Sequence, residues 1–153
     1  MPPAARPPLA VLFACSRNAV RSPIAAALFA QMFGRAVYVV SAGVRKAELD
    51  AFAVAVMAEI DLDISRHKPI TLEELDEGEG LNFDLIVTLA PEAHHRALEL
   101  TRTSAVDVEY WPTADPSAVE GSREQRLEAY REVRDQLLAR IRQRFVTRST
   151  GNE

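Results

Sequence analysis

The chain has 153 residues, of which 48% are hydrophobic and 26% are charged, and its formal net charge at pH 7 is −4. This length and composition indicate one globular domain with a buried core. No apolar stretch reaches the roughly 20 residues that a membrane-spanning helix needs, and the mild negative charge argues against a general nucleic-acid surface. We therefore expect partners that are neither membranes nor nucleic acids.

The start of the chain and its cysteine content point to a compartment. The first ten residues, MPPAARPPLA, contain no apolar run of signal-peptide length. Cys15 is the single cysteine, which excludes a disulfide within the chain. A reduced, cytoplasmic setting is the default expectation for such a sequence.

The first third of the chain predicts strands alternating with helices. Residues 8–14, PLAVLFA, form a continuous apolar run, typical of a central parallel strand buried on both faces. Serine and proline open an alanine-rich helix over residues 22–33, and Gly34 ends it. The β-branched stretch 36–43 predicts a second strand, and the stretch 51–60 predicts a helix.

The alternation continues to the end of the chain. Strands are predicted over 82–90 and 106–111, with a helix over 91–100 between them and a long amphipathic helix over 122–145. The order β-α-β-α-α-β-α-β-α predicts a three-layer α/β/α sandwich with a four-stranded, mostly parallel sheet. We expect one domain over residues 8–146, with flexible ends at 1–7 and 147–153.

The turn after the first strand, CSRNAVRSP, combines features of an anion site. Ligands of parallel α/β sheets bind beyond the carboxyl ends of the strands, where Cys15 lies. Loop amides and a helix N-terminus attract an anion and stabilise a thiolate. Arg21 can clasp two phosphate oxygens, Asn18 tolerates a left-handed backbone, and Ser22 can donate a hydrogen bond to the sulfur. The alternative for Cys15 is a buried structural cysteine.

This turn resembles the cysteine-(five residues)-arginine-serine-proline loop of the low-molecular-weight protein tyrosine phosphatases, whose fold and loop the related arsenate reductases share. The resemblance runs from about residue 8 to residue 145. It implies that Cys15 is a nucleophile and that Arg21 binds the transferred group. It also implies a phosphate-binding loop made of Ser16, Arg17, Asn18, Ala19, Val20, Arg21 and Ser22. No cluster has metal-ligand spacing, so we expect neither a metal nor another cofactor.

Three further motifs extend the resemblance. The motif SAG at 41–43 resembles the place where the family has a serine that supports the loop, which is Ser41 here. The motif DLDISRHKP at 61–69 resembles the segment where the family has a histidine that reaches the loop asparagine, which is His67 here. A surface histidine is the alternative for His67. In WPTADPS at 111–117, Asp115 resembles the general acid that protonates the leaving oxygen and later activates water. An aspartate that only marks a turn before proline is the alternative.

The sequence also departs from the common family pattern. Arg17 stands where glycine is frequent and Val20 where a second cysteine is frequent, and no aromatic residue follows SAG or the Asp-Pro pair. Thioredoxin-linked arsenate reductases carry two further cysteines that this chain lacks. We predict a cysteine-dependent phosphatase that hydrolyses phosphomonoesters, with phosphotyrosine protein as the first candidate, through a phosphocysteine.

Two alternatives remain open at this point. One is a single-cysteine arsenate reductase that uses a small external thiol, since arsenate and phosphate have the same shape. The other is a non-catalytic oxyanion-binding module. The expected partner is accordingly a phosphorylated protein or a small phosphate or arsenate oxyanion.

Overall fold

A computed structural model describes residues 8–145 of the chain. Its elements follow the predicted order, with two short 3₁₀ turns, Gly34–Ala36 and Pro116–Ala118, in addition. They are β1 (Ala10–Cys15), α1 (Arg21–Phe33), β2 (Tyr38–Gly43), α2 (Ala51–Ala58), α3 (Leu72–Glu77), β3 (Leu85–Thr88), α4 (Pro91–Leu100), β4 (Asp107–Tyr110) and α5 (Arg123–Phe145). The ends predicted to be flexible, 1–7 and 147–153, lie outside the described residues.

The four strands form one sheet in the order β2-β1-β3-β4, and every neighbouring pair is parallel. The predicted three-layer α/β/α architecture is therefore confirmed, with a sheet that is parallel throughout. β1 is central, and its last residue, Cys15, pairs with Gly43 at the end of β2. Because all strands run the same way, the segments that follow β1, β2 and β4 meet at one edge of the sheet.

The side chains of β1 divide the core into two halves. Successive residues of a strand point to opposite faces. Val11, Phe13 and Cys15 belong to the core that α1, α2 and α5 cover, whereas Leu12 and Ala14 face the core below α3 and α4. This alternation places the sulfur of Cys15 on the face that carries α1.

Helix α5 buries the stripe expected from its periodicity and also supports the segment before α2. Leu127, Tyr130, Val133, Leu137 and Ile141 are buried. The hydroxyl of Tyr130 donates to Asp50 at 2.6 Å, and Asp50 caps the start of α2. No helix within residues 8–145 is both long and apolar enough to cross a membrane.

Three strands are at least two residues shorter than the sequence predicts, and β4 spans Asp107–Tyr110 of the predicted 106–111. β2 begins at Tyr38 because residues 34–36 form a 3₁₀ turn, in which Gly34 has φ 61°. β3 spans only Leu85–Thr88 of the predicted 82–90, although Leu89 still donates its N–H to the carbonyl of Ala14. The second helix between β2 and β3, whose bounds could not be predicted, starts at a capping box formed by Thr71 and Glu74.

Candidate active site

The loop that follows Cys15 is held from outside by the segment 44–50. Four of its carbonyl groups accept hydrogen bonds from backbone N–H groups of that segment. The pairs are Cys15 with Val44, Ser16 with Arg45, Arg17 with Ala47 and Ala19 with Asp50, at 2.9 to 3.2 Å. A trans peptide directs its C=O and the next N–H in opposite directions. The N–H groups of Ser16, Arg17, Asn18 and Val20 therefore point away from the segment, to the inside of the loop.

Gly43 allows the loop and its support to approach this closely. The residue is buried, and a Cβ atom there would lie 2.7 Å from the backbone nitrogen of Asn18 and 2.9 Å from the carbonyl carbon of Arg17. A side chain would therefore displace the loop backbone. From the sequence, this SAG motif is assigned a role only through Ser41. A glycine at the end of a strand is the signal that would have pointed to close backbone approach.

Asn18 is the hydrogen-bonding centre of the site. It is fully buried and adopts φ 55°, in the left-handed region. Its Nδ2 donates to the hydroxyls of Ser22 and Ser41 at 2.8 and 2.9 Å. Its Oδ1 accepts from the backbone N–H of Ile70 at 2.9 Å and lies 3.0 Å from Nε2 of His67. Ser41 and His67, the two residues predicted to support the loop, thus both contact the side-chain amide of Asn18.

These contacts define the protonation of His67. Since Oδ1 of Asn18 is an acceptor only, Nε2 of His67 carries a proton and donates it. Burial lowers the pKa of His67, and the bond that it makes to Asn18 opposes the shift only in part. His67 is therefore a neutral donor that orients the amide of Asn18 at neutral pH.

The hydrogen bonds of Asn18 continue through the hydroxyl of Ser22 to the sulfur of Cys15. Sγ of Cys15 lies 3.0 Å from Oγ of Ser22 and is buried. Because Oγ of Ser22 accepts from Asn18, its own proton is free to point to the sulfur or to the more distant carbonyl of Ala42, at 3.3 Å. A hydroxyl donor to the sulfur stabilises negative charge on it.

Arg21 connects the loop to the segment after β4. Its Nη1 donates to the carbonyl of Thr113 at 2.9 Å and its Nη2 to Oγ of Ser16 at 3.3 Å. The same Nη2 lies 3.9 Å from Oδ2 of Asp115, which is too far for a hydrogen bond but within Coulombic reach. The two motifs that are distant in sequence thus meet, since Cys15, Arg21 and Asp115 line one cavity of about 100 Å³.

The charge state of Asp115 results from opposing effects. Burial raises the pKa of this carboxyl group. Two hydrogen bonds from Ser117 and the positive charges of Arg21 and Arg17 outweigh burial, so the net shift of the pKa is downward. Without a bound anion, Asp115 is therefore ionised at neutral pH. A bound phosphate dianion would offset the two arginines and favour a proton on Asp115.

The walls of the cavity carry small or charged side chains. Ala19, Ala47 and Val20 provide the apolar part, and Arg17, Glu48 and Asp50 stand among the remaining lining residues. None of the described residues that line this cavity is aromatic. The absence of aromatics after SAG and after Asp115 in the sequence is thus also a feature of the cavity.

Comparison with known proteins identifies the family. A model of the family described as low molecular weight phosphotyrosine protein phosphatase matches residues 10–149. The chain belongs to this family. An arsenate reductase of Bacillus subtilis is 31% identical over 133 residues, which are 87% of this chain and 92% of that protein.

Solved structures give the same fold. An arsenate reductase in its phosphate-binding state has a TM-score of 0.71 and 26% identity, and the match covers 88% of this chain and 94% of that one. A serine variant of the arginine phosphatase YwlE, with its active-site serine phosphorylated, has a TM-score of 0.70 and 26% identity over 88% of this chain and 91% of that one. This family member thus resembles enzymes of two kinds, phosphatases and arsenate reductases.

We expect Asn18→Ala to destabilise the chain strongly. The substitution leaves buried hydroxyl and N–H groups without a partner and forces alanine to φ 55°. Each unsatisfied buried group costs about 1–3 kcal/mol, so the free energy of unfolding should fall by about 2 kcal/mol or more in urea denaturation.

Two variants separate the causes. Asn18→Gly removes the same hydrogen bonds but accepts the left-handed backbone, so it should recover only the part of the loss that is due to φ. Asn82→Ala removes an exposed asparagine and should change stability by no more than about 0.5 kcal/mol. Equal stability of Asn18→Ala and Asn82→Ala would contradict the central role of the amide.

Proposed function

We propose that the chain is a phosphatase that hydrolyses phosphomonoesters through a phosphocysteine at Cys15. The observation that carries the proposal is the presence of Asp115 in the cavity of Cys15, with Arg21 between the two. Binding an oxyanion needs neither a nucleophile nor an acid, whereas cleaving an ester uses both. This combination favours an enzyme over an oxyanion-binding module.

The first step transfers the phosphoryl group to sulfur. The inward N–H groups of the loop and the guanidinium of Arg21 bind the non-bridging oxygens and stabilise the charge that builds up on them. The thiolate of Cys15 attacks phosphorus, and the bond from phosphorus to the leaving oxygen breaks. Asp115 gives its proton to that oxygen, so the leaving group departs as a neutral alcohol.

The second step releases phosphate. The carboxylate of Asp115 now takes a proton from a water molecule, which attacks phosphorus while the bond to sulfur breaks. The hydroxyl of Ser22, 3.0 Å from Sγ, stabilises the departing thiolate. The phosphorylated active-site serine of the YwlE variant supports a phosphoryl-enzyme at the corresponding position.

We propose a phosphorylated protein as substrate, in the cytoplasm, where a single reduced cysteine persists. Phosphotyrosine is the first candidate because of the family. However, a tyrosine ring would meet Ala47 and the carboxylates of Glu48 and Asp50 instead of an aromatic wall. Since one structural neighbour is named an arginine phosphatase, phosphoarginine peptides belong beside phosphotyrosine peptides in the substrate test.

Reduction of arsenate is the second candidate, and the names of the sequence relatives favour it. Arsenate has the shape of phosphate and fits the same loop. Its reduction to arsenite takes two electrons, which two thiols supply when they join as a disulfide. Cys15 is the only cysteine of this chain, so at least one of those thiols would have to be an external small molecule.

We expect the wild-type protein to hydrolyse an aryl phosphate and Cys15→Ser to lose that turnover, because the hydroxyl is a far weaker nucleophile than the thiolate. Circular dichroism should show that the variant remains folded. Arsenite formation from arsenate is measured in parallel with each common small thiol. Rapid arsenite formation with little phosphatase activity would replace the first candidate by the second, and full turnover by Cys15→Ser would reject a cysteine mechanism.

Asp115→Asn should lower kcat/KM by about 10²–10⁴-fold for an alkyl phosphate, the usual scale of general acid catalysis. The loss should be much smaller for an aryl phosphate whose leaving group departs as a stable anion. Asp63→Asn is a matched control, because Asp63 is an exposed aspartate in another Asp-x-Ser turn. Equal losses for both leaving groups in Asp115→Asn would show that Asp115 is structural.

Arg21→Lys should reduce turnover of both substrates alike, since an ammonium cannot clasp two oxygens.

A further inference from the structure

The two carboxylate oxygens of Asp115 have different surroundings. Oδ1 accepts a hydrogen bond from the hydroxyl of Ser117 at 2.7 Å and another from its backbone N–H at 2.9 Å. Oδ2 faces Nη2 of Arg21 at 3.9 Å and receives no hydrogen bond from the described residues. Ser117 also lines the cavity that contains Cys15.

We propose that Ser117 is a positioning residue for Asp115, which holds Oδ1 in place and leaves Oδ2 as the oxygen that carries the proton to the leaving group. This inference rests on the proposed function, because it assigns a role to Asp115 as the acid. With two donors on Oδ1, a proton on that oxygen would break at least one hydrogen bond. A proton on Oδ2 leaves both bonds intact.

The hydroxyl of Ser117 also has an electrostatic effect. It donates to the ionised form of Asp115 and so lowers the pKa of the carboxyl group, together with the positive charges of Arg21 and Arg17. The other charged or titratable groups around Asp115 are Cys15, Glu48 and Asp50 in the cavity wall and Tyr130 on α5. Burial and the hydrogen bond to Asp50 raise the pKa of Tyr130, and the charge of Asp115 adds to this shift.

The hydroxyl of Ser117 can be removed without a change of charge. In Ser117→Ala, the charges of Arg21, Arg17, Glu48 and Asp50 all stay, and the backbone N–H still reaches Oδ1. The substitution therefore isolates the effect of one hydroxyl. In contrast, a substitution of Arg21 or Arg17 would alter the binding of the phosphate itself.

The chain contains a second turn of the same kind that serves as a control. Ser65 donates its N–H to Oδ1 of Asp63 at 2.8 Å, and the side chain and N–H of Ser65 lower the pKa of Asp63. Both residues are exposed, and neither lines the cavity of Cys15. Ser65→Ala thus removes a serine hydroxyl from a matching turn that lies outside the cavity of Cys15.

The experiment compares the pH dependence of kcat for the wild type, Ser117→Ala, Ser117→Thr and Ser65→Ala with one alkyl phosphate, because kcat reports the pKa of Asp115 in the substrate complex. Activity needs the protonated form of Asp115 and falls as pH rises through its pKa. Removal of a bond that favours the ionised form raises that pKa, so the basic limb of Ser117→Ala should move to higher pH. Its plateau below the limb should fall several-fold, because the acid is less well oriented. Ser117→Thr should restore the limb, and Ser65→Ala should leave the profile unchanged.

A second measurement keeps this test independent of catalysis. Titration of the carboxyl ¹³C resonance of Asp115, assigned with Asp115→Asn, should move to higher pH in Ser117→Ala. An unmoved resonance, or a basic limb that stays in place, would overturn the role of Ser117. If Asp115→Asn shows the leaving-group dependence while Ser117→Ala has the wild-type profile, only this inference fails. If Asp115→Asn shows no such dependence, the role of Asp115 as the acid fails, and the role proposed for Ser117 fails with it.

Discussion

The site depends on a loop in which four carbonyl groups accept hydrogen bonds on one side, so that the N–H groups that follow them are available on the other. Segment 44–50 fixes the orientation of the loop by donating four backbone hydrogen bonds to its carbonyl groups. Gly43 permits the two backbones to touch, and Asn18 locks the turn from within. Because the donors are fixed before any ligand arrives, the loop has little reorganisation to complete when charge develops on a bound oxyanion. The cost is a residue in the left-handed region, which the hydrogen bonds of Asn18 offset.

Charge is balanced around the same loop. Arg21 donates a hydrogen bond to Thr113 in the segment after β4 and lies near Asp115, so the position of the proposed acid is coupled to that of the proposed phosphate-binding arginine. Without a bound anion, the hydrogen bonds from Ser117 and the charges of Arg21 and Arg17 keep Asp115 ionised. A phosphate dianion in the loop cancels part of this effect. In the proposed mechanism, binding of the substrate therefore favours the protonated acid that the first step requires, and release of the leaving group returns the carboxylate that the second step requires.

Much of this arrangement could be predicted because its signals are local. Cys15, Asn18 and Arg21 occupy one short turn between an apolar run and a helix start, and the parallel sheet brings the segment after β4 to the same edge. Helix α4 was predicted with its observed bounds, since the proline at residue 91 fixes its first turn. Gly43 and Ser117 were not predicted. Their importance comes from a contact with a distant backbone and from the orientation of one carboxyl group, and neither leaves a periodic pattern in the sequence. The shortened ends of β2, β3 and β4 were not predicted either, because the 3₁₀ turn before β2 and the pairing between strands, and not propensity alone, decide where these strands begin and end.

The central claim is that the sulfur of Cys15 carries the phosphoryl group during turnover. The most direct measurement is rapid acid quenching of the protein during hydrolysis of an aryl phosphate, followed by mass spectrometry of the peptide that contains residue 15. Asp115→Asn is the suitable form, because a good leaving group lets the first step proceed while the loss of the base slows the second. We predict that the peptide gains the mass of one phosphoryl group on Cys15 within the first turnover. Steady release of phosphate with no phosphorylated peptide, or a phosphoryl group on another residue, would contradict the claim.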